Sequence, residues 1–280
     1  MTASPKQILV HLDASAAAAR RLALARQLAT QHEAALSALY ATVPVFVGLP
    51  SWPDVGSSLA GTLIDIDNER RNQTRKMFDE CMASAGPGAT WSETPEIAVV
   101  GAVSRQALYA DLLVLGQRDP GDALAAGVPA DFPESVMVAS GKPAIVVPYA
   151  GAPARVGDSV AIAWKPTREA ARAVAAAIPL LQKARQVHVL SWDQDEEDLV
   201  EGVPLDLDGY LRLHRITATV HRGGPEPEDL GQILLSRVFD LGADLLVMGC
   251  YGHSRAREWM LGGTSRSILG SMTLPVLMAH

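Results

Sequence analysis

Apolar and polar positions along this chain fall into two alternating patterns. Continuous apolar runs at Gln7 to Leu12, Ala34 to Thr42, Leu112 to Leu115 and Ala144 to Pro148 have the length of strands buried on both faces. Later runs at Ser159 to Trp164, Gln186 to Trp192, Leu245 to Met248 and Pro275 to Met278 read the same way, and Thr90 to Thr94 and Ile216 to His221 read as shorter strands. Helical spacing fills the gaps. Leu22, Ala25, Leu28 and Ala29 form one stripe, in a helix that Ser15 can cap and that runs to about Gln31. After a Pro-, Gly- and Ser-rich loop from Val43 to Ser58, a helix ending near Ala85 is expected to bury Leu63, Ile66, Met77 and Cys81, and another covers roughly Glu96 to Tyr109. Ala171, Val174, Ile178 and Leu181 mark a helix bent near Pro179. An acidic connection, Asp193 to Asp208, leads to a short helix around Tyr210 to His214. The next helix starts near Pro225 or Pro227 and carries Glu226, Glu228 and Asp229 in its first turn, where negative charge suits the dipole; Arg266 to Leu269 is helical again. Strands alternating with helices predict an α/β fold with parallel sheets covered on both faces, and ligands on such sheets bind at the carboxyl ends of strands.

The pattern occurs twice. Ala110 to Gly116 reads ADLLVLG and Ala243 to Gly249 reads ADLLVMG; Pro143 follows Gly116 by 27 residues and Pro275 follows Gly249 by 26. One unit has been duplicated. Ala150 to Gly157, AGAPARVG, is free of apolar bulk and serves as the linker, which sets domains at 1–150 and 158–280. The composition suits two globular domains, with 48% hydrophobic and 20% charged residues in 280. A formal charge of −7 argues against nucleic acid as a bulk electrostatic partner. No apolar region lies between Met1 and Lys6, and no apolar run reaches the ~18 residues of a membrane helix, so a cytoplasmic protein without a membrane partner is expected. Cys81 and Cys250 have no metal-ligand spacing and fit a reducing compartment.

The residues with most chemistry lie between the last two strands. Gly249 and Gly252 follow a buried strand, and Gly262 and Gly263 precede Thr264, Ser265 and a helix. Glycines let backbone N–H groups approach an anion, and a helix start adds unpaired N–H groups. The spacing of Gly249, two residues, Gly252, nine residues, Gly262 resembles the nucleotide-binding signature of the universal stress protein family. The resemblance covers nearly the whole chain and implies two tandem five-stranded parallel-sheet sandwiches of the Rossmann-like, adenine nucleotide alpha hydrolase-like kind. It further implies a stress-response regulatory protein that holds ATP or another adenine nucleotide, with Mg²⁺ alongside, and whose occupancy is read by a protein partner. Single-domain members commonly pair through their last strands. Ala144 to Pro148 and Val276 to Ala279 are therefore expected to form an internal pseudo-dimer contact, which leaves room for a homodimer.

The two halves depart from the signature differently. After Gly116 come Gln117, Arg118 and Asp119, and the later turn, Pro129 to Val136, carries Asp131 and Glu134 but no glycine. Like charges about 4 Å apart repel by ~4 kcal/mol at a surface-like dielectric, so no triphosphate is expected in the first half. The second half carries Arg255, Arg257 and Arg266 against Glu258. There the family's aspartate at the end of the first strand, matched by Asp13 in the first half, is Lys165, and its Ser or Thr after the last motif glycine is Gly263. Losing one hydroxyl to a charged acceptor costs ~1.5–3 kcal/mol, or roughly one to two decades of affinity.

Carried over by position, the nucleotide site begins with Ala163, Trp164 and Lys165, with Leu190 or Ser191 on the next strand. Met248, Gly249, Gly252 and His253 follow, and Gly262, Gly263, Thr264 and Ser265 complete it. Trp164 reads as a ligand-stacking residue or as core; Cys250 reads as a small buried thiol; the acidic run from Asp193 to Asp198 reads as a solvated loop rather than a Mg²⁺ site. No catalytic or metal-binding set is assigned, since the chain has no GxSxG elbow, no GxxxxGK[ST] loop and no GxGxxG. The resemblance allows at most slow ATP hydrolysis. Two other readings stay open: a nucleotide-free structural or interaction module with both sites degenerate, and an adenylating enzyme.

Overall fold

In the first half, β1 (Gln7–Leu12) pairs in parallel with β2 (Ala35–Tyr40) on one side and β4 (Leu112–Gly116) on the other. β3 (Ala89–Glu93) extends the sheet beyond β2, and β5 (Ala144–Val147) beyond β4. The computed structural model describes residues 4–48, 57–151, 155–193, 205–250 and 263–280 of the chain, which divides into two units, Pro5–Ala150 and Gly151–His280. Strand order in the first unit is β3-β2-β1-β4-β5. In the second unit β6 (Ser159–Trp164) lies between β7 (Gln186–Asp193) and β9 (Leu245–Gly249), with β8 (Thr219–Pro225) and β10 (Val276–Ala279) outside them. The order β8-β7-β6-β9-β10 repeats the first, and the strands within each unit pair in parallel. The α/β reading with five-stranded parallel sheets is correct.

Helices cover these sheets because parallel strands need crossovers, and right-handed crossovers put helices on opposite faces when the strand order reverses. α1 (Ala18–His32) packs on β1, β2 and β4 and against α2 (Ser57–Ala83). α3 (Val99–Ala107) packs on α4 (Phe132–Ser140). In the second unit α5 (Arg168–Leu181) lies over β6, β9 and β10, α6 (Leu207–Leu213) precedes β8, and α7 (Leu230–Asp240) packs on α8 (Thr264–Ser271). β4, β5 and β10 are apolar and buried throughout.

Several local expectations are corrected. Ser15 does not cap α1 with its side chain; its Oγ donates to Asp13 Oδ1 at 2.5 Å, and the cap position is Ala17. The buried stripe of α2 is Leu63, Thr74 and Phe78, whereas Ile66 is exposed and Met77 and Cys81 are only half-buried. On α5, Ala170 and Ala173 are buried in place of Ala171, which faces solvent. The loop after β2 contains a 3₁₀ turn, Val45–Gly48. Glu226, Glu228 and Asp229 precede α7 rather than forming its first turn, and β8 begins three residues later than Ile216.

The repeated Ala-Asp has a structural reason. Asp111 accepts from the backbone N–H groups of Lys6 and Gln7 at 2.8 and 3.0 Å. Asp244 does the same for Gly157, Asp158 and Ser159 at 2.7, 2.9 and 3.2 Å. Each aspartate ties the chain entering the first strand of its unit to the strand beside it. Burial pushes the Asp244 carboxyl above its usual range despite those three donors.

Candidate functional site

Between β6 and β9 the strand order of the second unit reverses, so their carboxyl ends flank a crevice with no crossover above it. A cavity of about 210 Å³ opens there. β6 supplies Ala163, Trp164 and the following Lys165, while β7 supplies Leu190 and Trp192, which share a face because they are two residues apart. β9 supplies Met248 and Gly249, and the start of α8 supplies Gly263, Thr264 and Ser265. The tertiary structure thus brings together nine of the sequence-derived positions. Gly252, His253 and Gly262 lie outside the described residues, as do Arg255 and Arg257.

Residues that the sequence reading did not choose complete the wall. Thr167 caps α5, its Oγ1 accepting from Ala170 N at 3.3 Å, and the first turn of that helix brings Glu169 and Ala170 to the cavity. Gly249 is required by this approach: a Cβ there would lie 2.6 Å from Ala170 N and 3.0 Å from Glu169 Cβ. Leu230 and Leu234 of α7 close the apolar side, and Glu226 stands at the rim. Trp192 had a signal in the sequence, the i, i+2 relation to Leu190; Glu169 and Glu226 had none, because no motif marks a helix start folded back onto a neighbouring strand.

The charges at the site are mixed. Lys165 Nζ donates to Glu226 Oε2 at 2.9 Å, both side chains being a little over a third exposed. Glu169 is 2% exposed and accepts from Arg168 Nε, whose own side chain is largely in solvent. Burial pushes the Glu169 carboxyl up, but the Arg168 hydrogen bond, its own backbone N–H and the charges of Arg168 and His280 outweigh it, and the group stays ionised below the usual carboxylate range. Cys250 is fully buried, and its N–H donates to Ala279 O at 2.9 Å, continuing the β9–β10 pairing.

The corresponding place in the first unit is filled by the protein itself. Asp13, at the end of β1, pairs with Arg21 at 2.8 Å, with the two side chains 5% and 2% exposed. Arg21 lies against Gly116, where a Cβ would come within 1.7 Å of its Nη1. Burial pushes Asp13 up, but the charges of Arg21 and His11 and the hydrogen bonds from Ser15 and Arg21 bring it down to about 2. His11, tilted against Phe132 with ring centroids 4.4 Å apart and with Nε2 2.8 Å from Ala41 O, is held neutral: burial and the Arg21 charge lower its pKa to about 4, against the raising effects of Asp13 and Ala41. Asp119 and Asp131, the carboxylates that the sequence set against phosphate, serve local turns, accepting from Gly121 N and Ser135 Oγ at 2.8 Å each.

Together these features define a Rossmann-like α/β protein of the adenine nucleotide alpha hydrolase-like type, with an open cleft at the strand carboxyl ends of its second unit. Solved structures of the universal stress proteins have this fold. One from Archaeoglobus fulgidus DSM 4304 matches 98% of this chain and 95% of its own at TM-score 0.67 and 16% identity. A functionally unknown protein from Pseudomonas aeruginosa PAO1 matches 99% of this chain and 92% of its own at TM-score 0.55 and 15% identity. A universal stress protein solved in complex with cAMP matches 52% of this chain at TM-score 0.34 and 19% identity, too slight a likeness to speak for a ligand here. No family model and no curated protein matches the chain. The universal stress protein fold therefore extends over essentially the whole length of the chain.

Proposed function

We propose that this chain is a tandem universal stress protein whose second domain, residues 158–280, binds an adenine nucleotide and reports its occupancy to a protein partner. The observation that carries this reading is the cavity at the reversal of strand order. Its walls pair an aromatic and aliphatic surface, suited to a base, with the N–H-rich start of α8 and with Gly249 at the end of β9. The glycine spacing from Gly249 to Gly262 supports the same reading from the sequence. The first domain, its cleft filled by Arg21, acts as a structural half.

The filled first cleft also favours a second reading, in which both sites are remnants and the protein works through its surfaces. Mass spectrometry of small molecules released on denaturing the protein, purified without added nucleotide, separates the two. Stoichiometric adenine nucleotide, absent from Gly252→Asp, is the expected result. If none is released and titration with millimolar adenosine, AMP and ATP shows no binding, the nucleotide reading is wrong and the second stands.

A further inference from the structure

The charges in the wall of this cavity restrict what it can hold. Among the described residues, Lys165 is the one cation in the wall, and Glu226 already engages it at 2.9 Å. Arg266 of α8 is exposed and lines no part of the cavity. The remaining wall charge is the Glu169 carboxylate, 98% removed from solvent, and it stands at the glycine end, where its Cβ would be 3.0 Å from a Cβ on Gly249. Arg168 donates to it from a side chain that is 70% exposed, so solvent weakens that charge and it offsets the buried carboxylate only in part. This places an anion beside Gly249, where the glycine signature begins. The hydrogen bond from Arg168 and the helix start keep Glu169 ionised, so protonation does not relieve the repulsion at neutral pH.

The other features of the wall suit a ligand with hydroxyl groups and little charge. Trp164, Leu190, Trp192 and Met248 offer apolar surface to a planar ring. A carboxylate accepts hydrogen bonds on both oxygens, so Glu226 can hold Lys165 and also receive a sugar hydroxyl. A volume of about 210 Å³ lies below the ~300 Å³ at which pockets for larger ligands begin. We propose that the second domain is a site for a nucleoside or nucleoside monophosphate, selective for adenine ligands with at most one phosphate group, and that Glu169 is the residue excluding polyphosphates. This inference rests on the adenine-binding reading above and narrows it.

Isothermal titration of the full chain with adenosine, AMP and ATP, with and without Mg²⁺, tests it. Adenosine and AMP are expected to bind at least tenfold more tightly than ATP. Glu169→Gln, which keeps the shape of the side chain, should raise ATP affinity at least tenfold while leaving adenosine within threefold. A preference for ATP in the wild-type protein, as would follow if Arg255 and Arg257 supplied the missing positive charge, overturns the inference and leaves adenine binding intact. Equal affinities for adenosine and ATP also overturn it, and an unchanged ATP-to-adenosine ratio in Glu169→Gln removes the role given to that residue. Failure of every adenine compound to bind overturns the underlying reading as well.

Discussion

Asp13 and Lys165 occupy matching places at the ends of β1 and β6, and each forms an ion pair there. Asp13 recruits Arg21 into a buried ion pair; replacing Arg21 by Leu strands a carboxylate at 5% exposure, for which a cost of about 3–5 kcal/mol is expected. The double variant Asp13→Asn/Arg21→Leu should recover most of that loss, and urea unfolding of the two proteins checks it. A gain below 1 kcal/mol in the double variant would show the pair to be unimportant. His11 adds a pH dependence. Its folded pKa, about 4, lies below the unfolded value of 6.5, so the unfolded chain binds more protons between those limits and stability falls as pH drops from 6.5 to 4. The shift corresponds to about 3 kcal/mol as an upper figure. Asp13, at about 2 against 3.8, works in the same direction at lower pH, its contribution disappearing as pH falls through 3.8 towards 2. Amide exchange of β1 between pH 4 and 7 should lose this slope in His11→Gln, and an unaltered slope would assign it to other groups.

At the scale of elements, the contact between α5 and β9 determines the second site. Thr167 starts the helix, Gly249 lets its first turn approach, and that approach delivers Glu169 to the cavity. Gly249→Ala puts a methyl group 2.6 Å from a backbone nitrogen, and backbone cannot move aside as a flexible side chain does. We expect a loss of about 1–3 kcal/mol in urea unfolding, in line with overpacked cores, together with loss of ligand binding. Normal binding in this variant would mean that the close packing of α5 does not shape the site. The first-unit counterpart, Gly116, meets the side chain of Arg21 instead of helix backbone, so the same glycine serves a different packing in each half.

For the molecule as a whole, the two units share one strand order but have diverged in chemistry. Opposite parts of one ancestral cleft have been altered: the first unit keeps the aspartate and fills the cleft, and the second keeps the glycine turn and opens it. No described helix is long and apolar enough to cross a membrane.

The repeat and the order of strands and helices were legible in the sequence, because buried strands and helical stripes are local patterns with a fixed period; nine of the cavity positions came from the resemblance to the universal stress protein signature. The aspartates of the repeated Ala-Asp were visible too, although their task of holding the entering chain was not. The tertiary structure alone decided which side chains meet across long separations. Arg21 reaches Gly116, Glu226 reaches Lys165, and Glu169 reaches Gly249, each pair 61 or more residues apart. Such meetings depend on crossovers and helix packing, and these set the electrostatics of both clefts. Periodicity shows that a residue is on a buried face; which charge lies opposite is settled only when the strands are laid side by side.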